Sequence, residues 1–212
     1  MYDALLLDVT GFYKILNDLV MPSDRPVERD GRVVRENYAG NGEGRIWGVE
    51  VMLRHRLFHN FFGWISYTLS RSERKDGKDA PWHLFQYDQI HILTLLGSYR
   101  LPRGFQVGLR FRYVTGTPCT PLSKGVFDSD VENFEPVAHE PYSARTEAYH
   151  QLDLRIDKAW IFDYWIFTIY LDVQNVYFHA NEELSHYSYD YAEREPIRGL
   201  PIQPSLGIRG AF

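Results

Sequence analysis

The sequence predicts an all-β fold, an antiparallel transmembrane β-barrel segment of about eight strands. Three observations carry that expectation. Apolar and polar residues alternate with period two in segment after segment, the mark of a strand with one apolar face. The segments run to about 10 residues, longer than the usual 5 or 6 of globular sheets. The gaps between them alternate long and short, as in outer-membrane barrels with short turns on one side and long loops on the other.

The first strand is expected from about Ala4 to Leu19. Val9, Gly11, Tyr13 and Ile15 share one parity there, and Asp8, Thr10 and Lys14 the other. A polar stretch, Pro22 to Asn41, follows. The second strand, about Arg45 to Arg56, sets Trp47, Val49, Val51 and Leu53 against Glu50, Arg54 and Arg56. A short turn near Phe58 to Phe61 leads to the third, where Ile65, Tyr67 and Leu69 oppose Ser66, Thr68 and Ser70. A charged loop spans Ser72 to Pro81. The fourth strand, about Gln86 to Arg100, leaves its faces open: Ile90, Ile92 and Leu96 compete with Leu93, Leu95 and Tyr99. Leu101-Pro102-Arg103-Gly104 then makes a tight turn, because Pro and Gly preset turn dihedrals.

The fifth strand is the clearest. Phe105, Val107, Leu109, Phe111 and Tyr113 face one way, and Gln106, Gly108, Arg110 and Arg112 the other. A long polar stretch occupies about Pro118 to Ala148. The sixth strand sets Leu152, Leu154, Ile156 and Lys158 against Gln151, Asp153, Arg155 and Asp157. After a short turn near Phe162 to Tyr164, Phe167, Ile169, Leu171 and Val173 oppose Thr168, Tyr170, Asp172 and Gln174. A last long loop, about His179 to Leu200, precedes the strand Pro201 to Phe212. Ile202, Leu206, Ile208 and Phe212 lie on its apolar parity. In a barrel the charged parity lines a lumen; in a soluble sandwich it would simply face water.

Composition narrows the classes. The 212 residues are 44% hydrophobic and 16% aromatic, which suits both aromatic girdles and a carbohydrate-binding sandwich. Mean hydropathy is −0.36, and no run of about 18 apolar residues marks a transmembrane helix. A net charge of −5 argues against nucleic acid as a partner. The single cysteine, Cys119, offers neither a disulfide framework nor zinc spacing. The opening MYDALLLDVTG lacks the basic and apolar regions of a leader, so the chain is expected to be the C-terminal piece of something longer.

Several phrases carry a family resemblance. SYTLSRSERKD, DQIHILTLLGSYRLPRGFQVGLRFRYVTGTPCTPL, YHQLDLRIDKAW, IYLDVQNVY and GLPIQPSLGIRGAF resemble the C-terminal strands of TonB-dependent outer-membrane receptors. LDVQNVY before a long loop and a terminal strand is the most specific of them. The resemblance implies a barrel of about 22 strands with a plugged lumen, of which this chain supplies about eight C-terminal strands. It implies energy-coupled uptake of a scarce ligand, such as a metal chelate, across the bacterial outer membrane. The implied partners are outer-membrane lipid and the barrel-assembly machinery, with the plug and TonB engaged through the missing N-terminal part. Phe212, with Leu206 and Ile208 on its parity, is the implied assembly signal. A self-contained eight-stranded barrel serving as anchor or adhesin, and a soluble carbohydrate-binding sandwich or a glycosidase built on one, remain alternatives.

No chemistry stands out. His179, Glu182, Glu183 and His186 could in principle hold a transition metal, but a loop gives them no common face. His139, Glu140 and His150 read the same way. Asp153 and Asp157 could serve as paired carboxylates, yet Arg155 between them favours ion pairing. GNGEG at Gly40–Gly44 precedes a strand and not a helix, which a phosphate loop requires. No catalytic residue, metal site or cofactor is therefore expected. Trp82, Tyr142, Tyr187, Tyr189 and Tyr191, in the long loops, are the candidate ligand contacts.

Overall fold

The computed structural model describes residues 5–23 and 25–212. Eight strands form one antiparallel sheet in chain order: β1 (Leu5–Pro22), β2 (Tyr38–Phe58), β3 (Phe61–Lys75), β4 (His91–Arg100), β5 (Phe105–Val114), β6 (Tyr149–Ile161), β7 (Ile166–Gln174) and β8 (Gln203–Ala211). Each pairs with its neighbour, and a two-residue strand, His83–Leu84, adds to the end of β3. Among the described residues β1 and β8 do not pair with each other, so the sheet is an open ladder. Ala4, the expected start of the first strand, lies outside the described residues.

Register turns the sequence parities into two continuous faces. Leu7, Leu53, Ile65, Leu95, Phe111 and Leu152 form one row across β1 to β6. Tyr99, Val107, Ile156, Leu171 and Leu206 form another across β4 to β8. The same registers fix the faces of β4. Leu93 and Leu95 join the apolar face through Tyr113 and Phe111, and Thr94 and Leu96 join the polar face through Arg112 and Arg110.

The apolar face is not covered. Val114 is the single buried hydrophobic residue among those described, while Leu206 is 77% and Ile208 72% exposed. A water-soluble fold hides such a surface in a core; a membrane strand turns it to lipid. The opposite face lines a hollow with Gln106, Arg110, Asp153, Arg155 and Asp172. The paired residues of this inner face include eight bases, Lys14, Arg54, Arg74, Arg100, Arg110, Arg112, Arg155 and Arg209. They face five acids, Asp8, Glu50, Asp153, Asp157 and Asp172.

The connections alternate as expected. Phe58 pairs with Phe61 across a two-residue turn in which His59 (φ 48°) and Asn60 (φ 66°) are both left-handed. That is the type I′ geometry, whose twist matches a hairpin. A 3₁₀ turn, Pro102–Gly104, joins β4 to β5, with Arg103 and Gly104 at positive φ. Phe162 donates its N–H to the Trp165 carbonyl (2.9 Å) to close the turn from β6 to β7.

Three of the four long connections are not the featureless loops the sequence suggests. Each contains a small hairpin: Pro26–Arg29 with Arg32–Arg35, Leu122–Asp128 with Asn133–Ala138, and Glu182–Tyr187 with Arg194–Arg198. The second strand also starts at Tyr38 and not near Arg45, and the third reaches Lys75, into the expected charged loop. The fourth starts only at His91, because Asp88 and its neighbours fold into a buried knot.

Candidate functional site

The long-loop end of the sheet gathers the polar side chains that sequence leaves scattered. Asp88 lies at its centre, only 1% exposed. Its carboxylate accepts the Ser72 N–H (2.6 Å) and a short charge-assisted hydrogen bond from Arg145 Nη2. Arg71 Nη1 stands 3.5 Å away. Arg145 also donates Nη1 to the carbonyls of Asp88 (2.8 Å) and Gly116 (2.9 Å). A buried carboxylate survives only when its lone pairs are met in this way. The knot ties loop 76–90 to loop 115–148 at the top of β3.

A second knot links β6 to β5 and to the end of β7. Asp153 accepts Arg110 Nε (2.8 Å) and Nη2 (2.6 Å), Gln151 Nε2 (2.6 Å) and the Asn175 N–H (3.0 Å). Asn175 is buried and left-handed (φ 53°), a conformation that Asn tolerates. Its Nδ2 donates to the carbonyls of His179 (2.9 Å) and Leu200 (3.3 Å), and its Oδ1 accepts the His179 N–H (3.0 Å). Asn181 continues the stem, bonded through Oδ1 and Nδ2 to the backbone of His150. The LDVQNVY phrase is therefore a strand end plus its loop clasp.

The aromatic candidates fall into two groups. Trp82 lies under the Arg45 guanidinium (4.3 Å to the ring centre), which also approaches Trp47 (5.3 Å). Tyr142 stacks on His83 (5.6 Å, 12° between planes), and His83 Nε2 is 2.9 Å from Asp76. Tyr142 thus stacks on the residue next to Trp82. In the second group Tyr187 and Tyr191 approach to 6.0 Å. Tyr189 packs edge-on to Phe134 (5.3 Å) and donates its hydroxyl to the Glu132 carbonyl (3.0 Å). Tyr142 and Tyr191 both hold φ at 56°, an uncommon conformation for a residue with a side chain. Trp82 (38%) and Tyr189 (65%) keep large exposed faces.

The acid–base alternation on β6 resolves into ion pairs. Arg155 Nη2 meets Asp157 (2.8 Å), its Nη1 meets Asp172 (3.5 Å), and Asp153 turns to Arg110. The HANEELSH residues disperse. His179 stacks on His150 (3.6 Å), and Glu182 pairs with Arg194 and accepts the Ser185 hydroxyl (2.7 Å). No cluster of three or more potential metal ligands occurs among the described residues. Sequence reasoning missed Asp88 and Arg145. A lone Asp in QYDQI and a lone Arg in SARTE carry no local signal, because their partnership spans 57 positions.

At the opposite end the apolar parity closes with aromatic rings. Trp165 stacks at 4.9 Å on Phe162 and lies 6.5 Å from Phe212, whose ring is fully exposed. Leu206 and Ile208 continue that outward row on β8.

Comparisons with known proteins fit this architecture. The ferric-catecholate import receptor Fiu of E. coli K12 superposes with a TM-score of 0.62 at 20% identity, over 99% of this chain and 25% of that one. The FrpB iron transporter of Neisseria meningitidis gives 0.58 at 17% identity, over 98% of this chain and 29% of that one. The chain thus spans less than a third of either receptor's length. No curated protein sequence matches it. Residues 2–176 match the family described as TonB dependent receptor-like, beta-barrel, so the chain belongs to that family.

Proposed function

We propose that the chain is the C-terminal third or so of an outer-membrane receptor barrel that takes up a scarce ligand, such as a metal chelate, with energy coupled through TonB. The observation that carries this reading is the exposed apolar register running across eight strands joined by alternating short and long connections. Family membership supports it, and membership in a receptor family also makes the chain a non-enzyme. Both similar structures are named for iron import, which favours an iron chelate as the cargo. In this reading the short turns face the periplasm and the knotted loops face outward. The plug and TonB act through chain beyond these residues. Trp82, Tyr142, Tyr187, Tyr189 and Tyr191 contribute ring faces to ligand capture.

The test is growth of an iron-starved bacterium, stripped of its own chelate receptors, that expresses the intact receptor carrying this chain. A ferric catecholate supplied as sole iron source should restore growth, and Trp82→Ala with Tyr142→Ala should weaken uptake. A receptor present in the outer membrane that imports no metal chelate would overturn the cargo. Phe212 is assigned to assembly and not to capture. Its deletion should lower the amount of folded receptor while the assembled fraction keeps its ligand affinity.

A further inference from the structure

We propose that the outward face of β1, β2 and β3 holds one lipid with an anionic headgroup, its acyl chain in a recess at Gly11 and its headgroup at Arg71. The inference rests on the outer-membrane reading above. Tyr13, Trp47 and Arg71 are cross-strand neighbours in one outward row, and Gly11, Val49 and Leu69 form the next row. A Cβ built at Gly11 would meet nothing within 4 Å, so the missing side chain leaves open space. These six residues, together with Phe12, Gly48, Ser70 and Ile90, line a recess there, with Tyr13 and Trp47 as its aromatic rim and Val49 and Leu69 as its apolar wall. Aromatic rings of this kind settle at the membrane–water boundary, which places Arg71 at headgroup depth.

Charge supplies the second half. Around the recess three guanidinium groups, of Arg45, Arg71 and Arg145, share two carboxylates, of Glu73 and Asp88. Asp88 is already met by the Ser72 N–H and Arg145, and Glu73 takes Arg45 at 2.5 Å. Arg71 is left with contacts of 3.5 and 3.9 Å, long for a charge-assisted hydrogen bond. Its side chain remains 35% exposed in the outward row. A guanidinium with spare donors above an apolar slot fits a lipid phosphate. A further strand paired to the free edge of β1 would lie in the plane of the sheet. It would wall the recess without covering its outward mouth.

The intact receptor, reconstituted in phosphatidylethanolamine vesicles with and without phosphatidylglycerol, tests this. Brominated acyl chains quench Trp47, whose signal is the difference from a Trp47→Phe receptor. Brominated phosphatidylglycerol should quench Trp47 about fivefold more effectively than brominated phosphatidylethanolamine. Gly11→Leu fills the slot with an apolar side chain on the lipid face and should abolish that preference. Arg71→Gln should equalise the two lipids. Equal quenching by both lipids in the unaltered receptor, or a preference that survives Gly11→Leu, overturns the lipid site. Membrane insertion is read in the same samples by the heat-dependent gel shift of a folded barrel. An inserted receptor without lipid preference sinks this inference alone, and a receptor that never inserts sinks the outer-membrane reading with it.

Discussion

The two ends of the sheet are built on different principles. At the short-turn end, chain reversal is decided within two to four residues: His59 and Asn60 left-handed, Arg103 and Gly104 left-handed, and one hydrogen bond closing 162–165. At the long-loop end it is decided by partners far apart in sequence. Asp88 and Arg145 are 57 positions apart and Glu147 and Arg198 are 51. Local turn chemistry fixes a hairpin cheaply and tolerates most neighbours. Long-range ionic knots fix the relative placement of whole loops, but each depends on every member being present. The ligand-facing side in our reading is therefore the more precise and the more fragile.

The sharpest way to break the contrast is Asp88→Ala. It leaves Arg145 and the Ser72 N–H without their buried acceptor, a loss on the order of 3–5 kcal/mol where a buried pair is broken. Hydrogen exchange should rise across 76–90 and 115–148 while the short turns stay protected. Equal loosening of both ends would show that they are one cooperative unit.

Leu109→Arg should come next. Leu109 is outward at mid-strand, where a charge costs about 2–4 kcal/mol against lipid. Arg110→Leu should cost less. It strips the buried Asp153 of its cation, but the Gln151 and Asn175 donors remain, and Arg110 itself is half exposed. Folded yield in outer membranes orders the two changes, and a reversed order would mean the faces are exchanged.

The turn end is probed by Asn60. Asn60→Val puts a β-branched residue at φ 66° and should cost roughly 1–2 kcal/mol, whereas Asn60→Gly should be neutral or stabilising. Unfolding midpoints in urea would separate them. Equal midpoints would indicate that the turn is not held left-handed.

The smallest effect is one of pH. The Arg198 guanidinium hydrogen-bonded to Glu147 holds its carboxyl below the ordinary glutamate range. A depressed pKa in the folded state contributes stability above the unfolded value, and that contribution is lost as pH falls through the folded value. The contact joins loop 115–148 to the hairpin containing Arg198. Acidification below the ordinary glutamate range should raise exchange at 194–198 before it affects the turns, and Glu147→Gln should remove the pH dependence. A Gln variant with the same acid response would assign it elsewhere.

How much the sequence discloses follows the same division. Strand parities such as Val107, Leu109 and Phe111 against Gly108 and Arg110 are legible because the outward face recurs at every second residue. The four-residue turn Leu101 to Gly104 is legible because Pro and Gly announce it. The faces of β4 are not, since Ile92, Leu93, Leu95 and Leu96 are apolar on both parities and only pairing with β5 separates them. The hairpins inside the long loops escaped because short polar strands carry little hydrophobic alternation. Of the loop tyrosines, their place in the long connections was legible and their grouping was not: nothing local pairs Tyr142 with His83 or Tyr189 with Phe134.

The clasp at Asn175 has a consequence for how this molecule can vary. One side chain grips both ends of the connection between β7 and β8, at His179 and at Leu200, and the Gly199 N–H bonds the Asn181 carbonyl just inside. That stem fixes where β8 meets β7, whatever the hairpin from 182 to 198 does beyond it. The hairpin's own placement is set elsewhere: it docks on loop 115–148, with Tyr189 edge-on to Phe134 and the Gly125 N–H donated to the Asp190 carbonyl (2.7 Å). Variation within it would be felt in that neighbouring loop before it reached the strands, and Asn175, Asn181 and Leu200 mark where it would stop.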